Sequence, residues 1–167
     1  MIDLSALPDQ PGWSRWLARA DEYRQAAEPE VIAQVEQAVR DFPAAAFAAG
    51  MLPEPLPVER QDKLPRSEHR ETTEGARLRH RVVLEPSDVR GWHLGRGVLI
   101  SMARTAVRPV FAPVARGESA ALRADGTVVR SVIAGWEAYP APVAVEVDDR
   151  VVPLDEYLRR ALSEHRR

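Results

Sequence analysis

Ala76-Arg77-Leu78-Arg79-His80-Arg81-Val82-Val83-Leu84 is the stretch on which the fold turns. Ala76, Leu78, His80, Val82 and Leu84 occupy one phase of a period of two. Arg77, Arg79, Arg81, Val83 and Glu85 occupy the other. A repeat of two is that of a strand with one face against a core and one in water. The register predicts a buried His80 and a row of three exposed arginines. Downstream the same β character continues. Val98–Met102 and Val107–Val114 are rich in β-branched residues, and Pro109 and Pro113 mark the second run as an edge or bulged strand. Ala124-Asp125-Gly126 separates Ala120–Arg123 from Thr127–Ile133, and Asp148-Asp149 separates Val143–Val147 from Arg150–Val152, so both are read as hairpin turns. Strands that follow one another without intervening helices predict an antiparallel sheet.

Both ends of the chain read as helical. Asp9 and Pro11 form a start signal, after which Trp13, Trp16, Leu17, Ala20 and Tyr23 or Arg24 recur at helical spacing while Arg15, Arg19 and Glu22 face out. Pro29 opens a second helix with an apolar stripe of Val31, Ile32, Val35, Ala38, Val39 and Phe42. Pro43 is expected to interrupt it, leaving Ala44–Ala49 as a short extra helix ended by Gly50. A last helix starts near Asp155 and places Leu154, Tyr157, Leu158, Ala161 and Leu162 on one face. The fold class is therefore α+β, with an N-terminal helical hairpin, a mainly antiparallel sheet in the second half and a C-terminal helix. The expected division is a hairpin over 1–50, a Pro-rich polar linker over 51–75 containing Pro53, Pro55, Pro57 and Pro65, and an antiparallel β domain over 76–167.

Composition narrows the function classes. Hydrophobic residues make up 45% and charged residues 29% of 167 residues, ordinary for one globular domain. Cysteine is absent, which excludes disulfides, thiolate metal sites and cysteine nucleophiles. No apolar run reaches membrane-spanning length, and Met1–Gln10 lacks the features of a signal peptide, so the expectation is a soluble, cytoplasmic protein of bacterial type. Asn is also absent and Lys63 is the single lysine, a bias that GC-rich coding produces and that weakens arginine richness as a sign of nucleic-acid binding. The net charge of −2 conceals a basic middle: residues 66–130 carry twelve Arg against seven acids.

The candidate site residues follow from that basic segment. Arg77, Arg79 and Arg81 project from one strand face and call for a compensating anion, either phosphate or the carboxylates of the first fifty residues, unless they form a solvated face beside carboxylates such as Glu85. Gly91-Trp92-His93-Leu94-Gly95-Arg96-Gly97 presents an aromatic ring, an imidazole and a guanidinium on a glycine-rich loop that follows Pro86-Ser87-Asp88, read as a turn or a helix cap. Trp92, His93 and Arg96 are thus candidate ligand- or anion-binding residues, although the loop matches neither a phosphate loop nor a dinucleotide fingerprint, and a structural loop with Trp92 as a core plug is the favoured reading. The four histidines lack metal-pair spacing, and no nucleophile elbow surrounds Ser101. No catalytic residue, metal or cofactor is expected. The leading reading is a non-enzymatic protein-interaction module that binds a protein partner or a second copy. The alternative is a nucleic-acid-binding protein using residues 66–130, with Trp92 or Trp136 stacking on bases. An enzyme centred on His93 comes third.

Overall fold

The structure is a computed structural model and describes residues 10–115 and 119–165. The expected cap Asp9 lies outside the described residues. Helix α1 (Gln10–Ala26) and helix α2 (Pro29–Ala48) come first. The strands follow as β1 (Glu54–Lys63), β2 (Arg70–Glu71), β3 (Arg77–His93), β4 (Leu99–Ser101), β5 (Ala106–Pro113), β6 (Ser119–Leu122), β7 (Val128–Val129), β8 (Ser131–Tyr139), β9 (Ala144–Val147) and β10 (Arg150–Pro153), with helix α3 (Leu154–His165) at the end. The N-terminal helical pair, the sheet and the closing helix make this an α+β fold. Hydrogen bonding runs in the order β7-β6-β3-β4-β5-β8, with β1 and β2 also on β3. Pairing is mostly antiparallel; β3 and β6 are parallel, so the sheet is mixed.

The chain divides into two compact units. The first comprises Met1–Pro55, Val89–Arg108 and Ala138–Arg167. Its core gathers Val35, Val39 and Phe42 of α2, Trp92, Ile100, Val145 and Val152 of the strands, Val143 just before β9, and Leu154 and Leu158 of α3. Helix α1 presents Trp13 inward, with Trp16, Leu17, Ala20 and Tyr23 half-buried and Arg15, Arg19 and Glu22 exposed, as its periodicity requires. Helix α2 differs from expectation: it runs through Pro43 without a break. Proline removes one helical hydrogen bond and costs roughly 3 kcal/mol in a helix interior. Burial of Phe42, Pro43 and Ala46 around it offsets that cost. Gly50 ends the helix at φ +79°, where its N–H donates to Phe47 O (3.0 Å) and Met51 N–H to Ala46 O (2.8 Å), both bonds of a Schellman motif. Between β9 and β10 the turn is Asp148-Asp149, at φ +49° and +63°, the left-handed pair of a two-residue hairpin.

The second unit comprises Leu56–Asp88 and Pro109–Glu137. Its packing is in two small clusters, Leu64, Ala76, Leu78 and Ala120 in one and Val82, Val114, Ala121 and Val132 in the other. Residues 54–63, expected within a polar linker, instead form β1 with Leu56, Pro57 and Glu59 buried. A glutamate is admitted to that interior because Arg123 meets both carboxylate oxygens (2.8 and 2.9 Å) and the Ile133 N–H donates a third bond at 2.9 Å. The Ala124-Asp125-Gly126 turn joins β6 to β7 as its sequence indicates, with Gly126 at φ +88° and the Thr127 N–H donating to Asp125 Oδ1.

Strand β3 follows the predicted alternation as far as Val82: Leu78 and Val82 are buried, His80 is half-buried, and Arg77, Arg79 and Arg81 are exposed. Beyond Val82 the burial changes phase, so Leu84 stands exposed rather than inward. No turn forms at Pro86-Ser87-Asp88; β3 continues to His93, with Pro86 exposed where a missing N–H need not leave a buried gap. Nor is β5 an edge strand, since it lies between β4 and β8 in bonding order. Its pairing with β4 is confined to Ile100 and Ala106, before either proline is reached.

A candidate binding cleft

Helix α1 and strand β9 flank a cleft of about 220 Å³ in the first unit. Its walls come from Arg15, Trp16, Leu17, Arg19, Ala20 and Tyr23 of α1, Arg96 and Gly97 of the β3–β4 turn, Tyr139, Pro142, Ala144, Val145 and Glu146. The helical repeat explains why α1 supplies so many: residues 16, 19, 20 and 23 share one face, and Arg15 stands at its margin.

The turn reaches the cleft because β3 and β4 pair tightly. Gly91 lies opposite Ser101, and a Cβ on it would come 2.2 Å from Ile100 O. No other residue permits that approach. The expected glycine loop is therefore partly strand: Gly91, Trp92 and His93 belong to β3, and only Gly95-Arg96-Gly97 turn the chain, all at positive φ. A Cβ on Gly97 would sit 2.7 Å from Cε3 of Trp16, so the indole lies directly on the turn backbone. The Tyr157 hydroxyl of α3 donates to Leu94 O and so holds the start of the turn.

Most polar groups around the cleft are engaged with one another. Glu146 Oε1 accepts from the Tyr23 hydroxyl (2.6 Å) and from Arg19 Nη2 (2.7 Å) and Nε (3.0 Å). The Tyr23 bond, then Arg19, holds the Glu146 carboxyl below the usual carboxylate range, and the same bond raises the Tyr23 phenol. The Tyr139 hydroxyl donates to Asp21 Oδ1 at 2.7 Å, and Arg108 lies over the Tyr139 ring at 5.1 Å. Burial, reinforced by Asp21, pushes the Tyr139 phenol well up. Among the described residues, Arg15 and Arg96 have no acidic partner.

Of the residues singled out from sequence, Arg96 alone lines this cleft. Trp92 is buried; its indole N–H donates to Met51 O at 2.9 Å, and its ring meets Phe42 and Phe47 edge to face. His93 is half-buried with no hydrogen-bond partner for Nε2 among the described residues, and burial lowers its pKa. Arg77, Arg79 and Arg81 belong to the second unit. There Glu71 is paired directly opposite Arg77, which puts both side chains on one face, and the charge of Arg81 acts on Asp62 after the larger effect of Arg60. Arg60 in turn bridges Asp62 and Glu85. Carboxylates beside the arginine row thus come from β1, β2 and β3 itself.

Sequence reasoning did not nominate Arg15, Trp16, Tyr23 or Glu146 as site residues. The helical repeat put Trp16 and Tyr23 on the inward face of α1, but Glu146 and Tyr139 lie more than a hundred residues away with no shared motif. Among the described residues no group of three or more His, Asp or Glu is gathered to hold a metal ion, and no helix is long and apolar enough to cross a membrane. The chain matches no protein-family model, no curated protein and no solved structure.

Proposed function

We propose that the protein is a non-enzymatic interaction module that binds a protein partner. The observation that carries this reading is the division of labour in the cleft. The groups able to move protons, Tyr23, Tyr139 and Glu146, are tied into mutual contacts and have pKa values displaced away from neutrality. A general acid or base works best with a pKa near the operating pH, so these groups suit a scaffold better than proton transfer. Two arginines and an indole remain at the surface for binding.

Nucleic-acid binding is the second reading, favoured by the exposed Arg77, Arg79 and Arg81. Carboxylates beside two of the three weaken it, since each neutralised charge subtracts from the attraction for phosphate. A filter-binding titration with duplex DNA and single-stranded RNA separates the two readings. Binding is expected to stay within or below the nonspecific range of roughly 10⁻⁴–10⁻⁶ M at physiological salt. Replacing all three arginines with Ser is expected to leave it unchanged and to cost about 0–1 kcal/mol per exposed pair in a denaturant melt. Sub-micromolar, salt-sensitive binding lost in the triple variant would establish the nucleic-acid reading instead. A photo-crosslinking side chain at Ala18, exposed on α1, supplies the positive arm. It is expected to yield a protein adduct in cells that the purified pair reproduces.

A further inference from the structure

We propose that the cleft seats a glutamate or aspartate side chain from an acidic segment of the partner, its carboxylate between Arg15 and Arg96 and its stem against Trp16. The inference rests on the interaction-module reading and names the chemistry of its partner. Charge is the first argument. The cleft is lined by three arginines against one acid, Glu146, and Arg19 is already joined to that acid. Arg15 and Arg96 are left with positive charge unmatched among the described residues. A guanidinium meets a carboxylate through paired, parallel hydrogen bonds, the strongest geometry available to either group.

Preorganisation is the second argument. Trp16 is held against the Gly97 backbone so closely that no Cβ fits between them. The Tyr157 hydroxyl pins the turn that carries Arg96. Binding there orders little that is not already ordered, which lowers its entropic cost. Size and polarity are the third. At about 220 Å³ the cleft is smaller than the roughly 300–1,000 Å³ of small-molecule sites. One side chain with its flanking backbone fits that space better than a nucleotide. Trp16 and Val145 also give the wall an apolar part that the methylene stem of a glutamate can cover, whereas an inorganic anion makes no use of it.

The test uses the full chain, labelled with ¹⁵N and titrated with a capped hexaglutamate peptide, a capped hexaglutamine peptide and inorganic phosphate. Hexaglutamate is expected to produce saturable shifts at the Trp16 indole N–H and the Gly97 amide that weaken as salt is raised. Affinity is expected to fall about tenfold in the Arg15→Gln/Arg96→Gln double variant. Three results would overturn the proposal: no saturable shift, equal shifts with hexaglutamine, or equal shifts with phosphate at matched concentration, which would mark a site for free anions. The peptide comparison is made on the wild type, so it stands even if the double variant folds poorly. A partner that crosslinks at Ala18 and binds the double variant as tightly as the wild type removes the carboxylate seat but leaves the interaction reading intact. Absence of any protein adduct removes the interaction reading itself.

Discussion

The two units are stabilised in opposite ways. The first buries large apolar groups, among them Trp13, Ile100 and Leu154 at 0–1% exposure, and keeps its charge network with Arg19, Glu22 and Glu146 at the surface. The second packs mostly alanine, valine and leucine, and places an ion pair inside, with the Glu59 side chain 1% exposed. Burial of apolar area stabilises by roughly 25 cal/mol per Å² whatever the neighbours. A buried charge is tolerated only while every partner is in place. The first unit is thus built to tolerate substitution at its polar groups, and the second is built around one contact that must be complete.

The largest effect tests that contrast directly. Glu59→Ala leaves Arg123 without its anion and the Ile133 N–H without its acceptor, and is expected to cost about 3–5 kcal/mol. The Glu59→Met/Arg123→Leu pair is expected to recover part of the loss, because no charge is left unpaired although the Ile133 N–H still lacks its acceptor. Hydrogen exchange locates the damage. Faster exchange at Leu78 and Ala120 with Ile100 still protected would mean that the units open separately. Equal loss at all three would mean that they unfold as one.

A smaller effect is expected at the cleft. Gly97→Ala adds a methyl group against the Trp16 indole and requires an alanine at φ +76°. The left-handed backbone alone costs roughly 1–2 kcal/mol, so the variant should melt lower and show a displaced Trp16 indole resonance. An unchanged indole resonance would mean that the turn, rather than the ring, sets the cleft wall.

The smallest concerns pH. Burial depresses the pKa of His93, so the unfolded chain binds a proton near the ordinary value of about 6.5 before the folded chain does. Stability is therefore highest above that pH and falls as pH drops through it. His93→Phe should flatten the difference between urea melts at neutral and mildly acidic pH. Identical acid slopes in both proteins would assign the loss elsewhere, Glu146 being the next group whose contribution fades on acidification, at lower pH.

Local pattern determined the elements whose neighbours in sequence are also their neighbours in space. The repeat of α1 sorted Trp16 and Tyr23 from Arg15 and Glu22, Gly50 marked the end of α2, and Asp148-Asp149 and Ala124-Asp125-Gly126 marked their hairpins, because each depends on backbone preferences within a few residues. The alternation of Ala76–Val82 placed the arginine row outward in the same way. What tertiary structure decided was every case in which a distant partner reverses a local preference. Glu59 belongs to a buried strand only because Arg123, 64 residues on, neutralises it. Pro43 stays helical because the core closes around it, and position 91, paired with Ser101 in the strand, must be glycine because Ile100 leaves no room for a Cβ. The cleft belongs to this second class. Its arginines, indole and carboxylate carry no common spacing, and only the packing of α1 beside β9 and the β3–β4 turn brings them within reach of one another.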